Sequence, residues 1–159
     1  MIYETNTDNL LRKRELFDDY IAILAKYDSE ISTLSEDEID EWFSRYFEDH
    51  EYWIDIKSDD KVVGFLIVGE RDGDCHPDTD YTISQVYVEK AYQNSGLASK
   101  CVLDFLSDHS GKYALDILHG NEDGRYFWNS IFKLLEIKPY SLREVRENAG
   151  PVDLIGFDC

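Results

Sequence analysis

Long apolar runs are missing from this chain. None approaches the ~18 residues of a membrane-spanning helix, and the N-terminal stretch MIYETNTDNLLRKRELF lacks the extended apolar segment of a secretory signal. Both absences point to the cytoplasm. Cysteine is scarce too. Cys75, Cys101 and Cys159 are odd in number, scattered and without a CxxC pair. They exclude a disulfide framework and a cysteine-built zinc site, and they suit a reducing compartment. Proline is rare, and Pro77, Pro139 and Pro151 each fall between expected elements. Basic side chains are outnumbered: 16 Lys and Arg against 34 Asp and Glu leave a formal charge of −18. A field of that sign repels nucleic acid and anionic membranes, whose binding rests on Lys and Arg contacts. It attracts cationic molecules.

What remains is ample core material. With 43% hydrophobic and 14% aromatic residues in 159, the chain reads as one domain over residues 1–159 and is too short for two comfortable ones. Phe17, Tyr20, Ile21 and Leu24 form one apolar helical stripe, and Ile39, Trp42, Phe43, Tyr46 and Phe47 form a second. Ser35 and Glu38 have capping-box spacing before the second. A short strand is expected at 2–4. The stretch EYWIDIKSDDKVVGFLIVGE reads as a hairpin turning at Ser58-Asp59-Asp60, and YTISQVYVE as the next strand. A helix follows with Ala98, Cys101, Val102, Phe105 and Leu106 on one face, then the strand KYALDIL, a helix over about 123–134, and two strands near 138–145 and 152–158. Asn148-Ala149-Gly150-Pro151 turns between those last strands. This order predicts an α/β fold with a mixed sheet and a parallel strand–helix–strand crossover over 83–118.

The loop QNSGLA separates that strand from that helix. It is neither a P-loop, lacking Gly-Lys-Ser/Thr, nor GxGxxG, having a single glycine. It offers main-chain N–H groups at a helix start, backed by the positive end of the helix dipole. Gly96 and Ala98 keep the approach slim for an anion.

QNSGLA after VYVEKAYQ matches the Q/R-x-x-G-x-G/A signature of the GNAT superfamily of N-acetyltransferases. DDKVVGFLIV, with Gly64, resembles the family's hairpin and long third strand, and LDILHGNEDGRYFWNSIF is similar to its fifth strand and following helix. Three motifs in order, over about 53–132, carry the resemblance. It implies the GNAT (acyl-CoA N-acyltransferase) fold, a mixed and mostly antiparallel sheet whose fourth and fifth strands are parallel, splayed and flanked by helices. It implies acetyl-coenzyme A (acetyl-CoA) as the acetyl donor, with no metal. Its diphosphate would sit on the N–H groups of Asn94, Ser95, Gly96, Leu97, Ala98 and Ser99, with Gln93 also in the cofactor site, and its pantetheine arm would lie along Val86, Tyr87 and Val88. Asn121 and Phe127 would complete the cofactor site, and Lys90 and Lys100 are the nearest cations. Family members are often dimers, so a homodimer is implied, although no motif specifies an interface.

Two departures concern catalysis. The family's tyrosine acid is replaced by Trp128, and its strand carboxylate by Ser84 and Gln85; neither an indole nor an amide exchanges a proton usefully. His119 and Tyr126 are the catalytic candidates, His119 because it ends a strand and histidine as a residue type suits proton transfer near neutral pH. Glu70 is a further base candidate, and Tyr92 and Tyr140 are further sources of a phenol. Core packing is the competing reading for Tyr126 and Trp128. Cys101, on the buried helix face, offers no covalent route. DGDCHPDTD lacks the glycine and glutamate of a calcium loop and reads as a solvated loop. Its acids, with Asp28, Glu30, Glu36 and Asp37, are expected to line the entrance for a cationic amine: a polyamine, aminosugar, lysine or protein N-terminus. The function expected is N-acetyl transfer to such an amine in a ternary complex. The rival is a catalytically silent acyl-CoA-binding or regulatory module.

Overall fold

The computed structural model describes residues 8–71, 75–144 and 151–159. The expected strand at 2–4, the turn residues 148–150, and Asp72 and Asp74 lie outside them.

Helix α1 (Leu10–Leu24) buries Leu16, Phe17, Ile21 and Leu24, following its apolar stripe. Helix α2 (Glu36–Arg45) opens with the expected capping box: Glu38 N–H donates to Ser35 Oγ at 3.2 Å, and Ser35 N–H donates to Glu38 Oε2 at 2.7 Å. Its stripe packs on α1 and on the sheet, with Phe43 5.5 Å from both Phe17 and Trp53 between ring centroids.

Strands β1 (Glu51–Ser58) and β2 (Lys61–Glu70) pair antiparallel. Two residues join them, Asp59 and Asp60, with Asp59 at φ 52°. Strand β3 (Tyr81–Val88) pairs antiparallel with β2, and helix α3 (Leu97–Asp108) then carries the chain to β4 (Lys112–Leu118), parallel to β3. Helix α4 (Glu122–Leu134), β5 (Tyr140–Ser141) and β6 (Val152–Asp158) complete a six-stranded sheet in the order β1-β2-β3-β4-β6-β5. The expected strand over 138–145 shrinks to the two residues of β5. It is an edge strand entered from Pro139, which has no N–H for a ladder.

Two cores sandwich the sheet. Leu66 and Val68 of β2 face α3 and α4 with Val102, Phe105 and Trp128. Phe65 and Ile67 face α1 and α2 with Leu16, Phe17 and Trp53. Strand alternation makes this division. It also explains why β2 reads as a nearly unbroken apolar run.

The break in the sheet matters most. Strands β3 and β4 pair only through Tyr81–Tyr113, Thr82–Ala114 and Ile83–Leu115. Ile67 pairs with Gln85 and Val68 with Ile83, so Ser84 is an extra residue, a bulge. The bulge shifts the alternation by one. Ile83 and Val86 both pack on the α3/α4 core, and Gln85 turns to α1 and α2. Beyond the bulge β3 and β4 part. Gly64 lets β2 hold β3 closely there, since a Cβ at Gly64 would lie 2.2 Å from Tyr87 O.

Candidate functional site

Where β3 and β4 separate, a cleft of about 1330 Å³ opens. That exceeds the roughly 300–1,000 Å³ of a pocket for a drug-sized ligand. It runs from the start of α3, across the splay, to the inner face of α1 and α2.

The first arm is built from main chain. After the 3₁₀ turn Lys90–Tyr92, Asn94 (φ 58°) and Gly96 (φ 82°) take left-handed conformations that swing the chain into α3. The first main-chain bond of the helix runs from Lys100 N–H to Gly96 O at 2.9 Å. The amides of 95–99 precede it and find no main-chain acceptor among the described residues, so they and the helix dipole form an anion-binding end. A Cβ on Gly96 would meet no atom within 4 Å. The glycine is therefore required by its positive φ, and the space beside it stays open. Gln93 Nε2 donates to Val88 O at 2.8 Å and fastens this loop to β3.

The second arm is the splay. Among the described residues, 84–88 of β3 have no strand partner on the β4 side, so that edge can receive an extended ligand as an added strand.

The third arm is aromatic. The Tyr20 hydroxyl donates to Gln85 Oε1, Gln85 Nε2 donates to the Tyr46 hydroxyl at 3.3 Å, and Trp42 Nε1 donates to the same hydroxyl at 2.6 Å. This chain locks α1, α2 and β3 together. Burial raises the Tyr20 phenol well above its ordinary value, helped by neighbouring Tyr46 and Asp116. It pushes Tyr46 up to about 12 against the hydrogen bonds from Gln85 and Trp42. Both keep their protons at neutral pH. Asp28, Glu51 and Asp116 bring negative charge to the cleft here, with Lys26 and Arg45 as the opposing cations.

Val86, Tyr87, Val88, Gln93, Asn94, Ser95, Gly96, Leu97, Ala98, Ser99, Asn121 and Phe127 all line this one cleft. Asn121 also caps α4, its Oδ1 accepting from Gly124 N–H at 3.0 Å. Lys90 lines the cleft, whereas Lys100 is paired with Asp104 at 2.6 Å.

The catalytic candidates fare differently. The His119 side chain is 57% exposed, with Nε2 3.0 Å from Asp153 Oδ1, and it is not among the residues lining the cleft. Tyr126 lines the rim but is 77% exposed, so the competing reading of core packing fails for it. Trp128 does pack there, against Phe127, Phe132 and Phe157. Glu70 accepts from the Tyr52 hydroxyl, and Tyr140 OH donates to Asp158 at 2.9 Å; both lie away from the cleft lining. Tyr92 lines it. Burial pushes the Cys101 thiol up to about 12, so it stays protonated and unreactive. Of the acids expected at the acceptor entrance, Asp28 lines the cleft, while Glu36 turns to Arg14 at 3.3 Å.

Sequence reasoning missed Asp116. The signal was present: in KYALDIL one carboxylate stands inside an apolar strand.

The family model for the acetyltransferase (GNAT) family matches residues 14–129. No curated protein matches the chain in sequence. Among solved structures, the chain is similar to an N-acetyltransferase from Staphylococcus aureus Mu50, with TM-score 0.67, 13% identity, and 98% of this chain and 99% of that one covered. It is similar to an aminoglycoside 6′-N-acetyltransferase complexed with coenzyme A, with TM-score 0.58, 14% identity and coverage of 98% and 96%. It is also similar to a GNAT family acetyltransferase from Elizabethkingia anophelis with acetyl-CoA bound, with TM-score 0.51, 13% identity and coverage of 79% and 84%.

Proposed function

The chain belongs to the acetyltransferase (GNAT) family, and from that premise we propose that, as a single domain, it moves the acetyl group of acetyl-CoA to a primary amine, with both substrates bound at once. One observation carries the reading: a single cleft joins an anion-binding helix start, an unpaired strand edge and an aromatic, acid-bearing chamber. Two relatives of the same fold bind coenzyme A or acetyl-CoA, which supports the same ligand here.

Bound acetyl-CoA supplies a thioester whose carbonyl carbon an amine can attack. The amides of 94–99 suit its diphosphate, with Lys90 beside them. The main chain of Val86, Tyr87 and Val88 offers the β3 edge to its pantetheine arm, and an N–H on that edge would stabilise charge developing on the carbonyl oxygen. Phe127 and Asn121 close the wall where α4 begins. Alignment of the two substrates in the cleft supplies much of the rate.

The acceptor in this reading is a small cationic amine. The charge of −18 draws such molecules in, and Asp28, Glu51 and Asp116 meet them in the third arm. Among the described residues no helix is long and apolar enough to cross a membrane; with the scattered cysteines, we assign the chain to the cytoplasm.

Calorimetric titration with acetyl-CoA, followed by thiol release over an amine panel at low and high salt, tests this. Saturable binding is expected, with turnover on cationic amines that falls as salt rises. Tight binding without turnover on any amine would instead make the chain a binding module. Turnover confined to neutral or anionic amines would refute the acceptor class.

A further inference from the structure

The side chains that brace the aromatic arm hold more hydrogens than they have acceptors. Trp42 Nε1 can only donate, and it donates to the Tyr46 hydroxyl at 2.6 Å. Gln85 Nε2 donates to the same oxygen at 3.3 Å, and the Tyr20 hydroxyl donates to Gln85 Oε1. Tyr46 therefore accepts twice, and its own proton finds no acceptor among the described residues. One hydrogen of the Gln85 amide is left over in the same way. Turning the amide over does not remove the surplus. Tyr46 would then donate to Gln85, and the Tyr20 proton would be left instead.

This surplus lies where a ligand can use it. Tyr46 is 8% exposed, and a buried donor without an acceptor is unfavourable. Tyr20, Tyr46 and Gln85 all line the cleft, beside the open edge of β3. Other groups there meet a different need. The carboxylates of Asp28, Glu51 and Asp116 line the same cleft and, when ionised, only accept, which suits an ammonium or an amine N–H. Lys26 and Arg45 donate from exposed positions, and His76 Nε2 lies 3.0 Å from Arg143 O. The Tyr46 and Gln85 donors differ because three hydrogen bonds fix them before any ligand arrives. Donors fixed in advance lose little freedom on binding.

We propose that Tyr46 and Gln85 select the acceptor by donating to an oxygen atom that it carries near the reacting amine. The proposal rests on the acetyltransferase reading above and narrows its acceptor class. Amines bearing a hydroxyl or ether oxygen, the chemistry of amino alcohols and aminosugars, are taken ahead of amines built only from carbon and nitrogen, such as simple polyamines. An oxygen-free chain in the same place would cover the surplus hydrogens without matching them, and a site built to hydrogen-bond a substrate oxygen rejects the analogue that lacks it. No bond is made or broken at Tyr46 or Gln85. Their role is specificity.

The test uses the full chain as wild type, Gln85→Glu, Tyr46→Phe and Trp42→Phe, with kcat/KM read by thiol release at saturating acetyl-CoA. Two pairs of amines of equal size are compared: 2-aminoethanol with propylamine, and 2-methoxyethylamine, whose ether oxygen can only accept, with butylamine. Each preference is a ratio within one enzyme, so a loss of stability cancels. Comparing ratios between enzymes cancels the basicity of the amines. Gln85→Glu keeps the side-chain length and lets both phenols donate to one carboxylate, which uses up the surplus. Tyr46→Phe removes the buried phenol proton, whereas Trp42→Phe cuts the same brace and keeps that proton. Wild type is expected to prefer the oxygen-bearing amine of each pair by about tenfold or more. Gln85→Glu and Tyr46→Phe should each shrink that preference at least about fivefold, and Trp42→Phe should hold it within about twofold. A wild type without the preference overturns the proposal while transfer itself persists. So does a preference that survives in either folded variant, one that Trp42→Phe removes equally, or one for 2-aminoethanol that the ether does not share. A wild-type chain that acetylates no amine, or binds no acetyl-CoA, removes the transferase reading and this proposal with it.

Discussion

The side chain of Gln93 donates its Nε2 hydrogen to the carbonyl oxygen of Val88 at 2.8 Å. This bond ties the loop before α3 to the strand edge beside it, so two arms of the cleft are held at a fixed spacing. Replacing Gln93 with Ala removes one hydrogen bond, worth about 1 kcal/mol. It also releases the loop. Acetyl-CoA affinity is expected to fall about 5- to 30-fold by calorimetry, and unchanged affinity would mean that the loop holds its shape without the bond.

Gly96 sits at φ 82° with open space where a Cβ would go. Gly96→Ala is therefore expected to cost about 1–2 kcal/mol of stability from left-handed strain alone, read from denaturant unfolding. Its methyl would also stand in the opening that an anion must enter. Affinity for acetyl-CoA should drop more than about tenfold, beyond what the stability loss explains.

Tyr20 and Gln85 are expected to be energetically coupled. Tyr20→Phe removes the donor to Gln85 Oε1 and leaves a half-buried amide oxygen short of a partner, at about 1–3 kcal/mol. Gln85→Leu removes both ends of its bridge between Tyr20 and Tyr46. A double-mutant cycle should give a coupling of about 0.5–3 kcal/mol. A value near zero would show that the aromatic arm is not braced by this chain.

Glu89 follows β3 and accepts from Arg12 Nη2 at 2.9 Å and from Lys61 Nζ at 3.0 Å. Burial pushes its carboxyl up, but the hydrogen bonds and charges of Arg12 and Lys61 outweigh burial and hold it below the usual carboxylate range. A depressed folded-state pKa gives stability that is present above the unfolded value, about 4.3. That stability is lost as pH falls through the folded value. Glu89→Gln is expected to cost about 1–3 kcal/mol at pH 7, with the gap to wild type shrinking below about pH 4. A gap that stays constant or widens on acidification contradicts this.

Much of this architecture was legible in local pattern. The two apolar stripes of α1 and α2, the Ser35–Glu38 capping box and the QNSGLA loop all depend on neighbours within a few residues, and all three form as expected. For Tyr126 the competing reading, core packing, fails, and the helical period shows why. It lies two residues before Trp128, roughly 200° around the helix, and Trp128, Ile131 and Phe132 define the buried face. The Ser84 bulge and the place of Asp116 at the splay were beyond local reading, although Asp116 itself stood out as one carboxylate in an apolar strand. The bulge exists only in the register of β3 against β2. Asp116 gains its position only because β3 and β4 stop pairing one residue earlier. The short β5 is a matter of edge position, which sequence does not specify.

The central claim is that the main-chain amides at the start of α3 hold the diphosphate of the acetyl donor. Backbone amide NMR during titration with coenzyme A tests it most directly. Saturable shifts concentrated at residues 94–99 and 86–88, not reproduced by equal concentrations of inorganic phosphate, are the predicted result. Shifts centred elsewhere, or none at saturating coenzyme A, would contradict it.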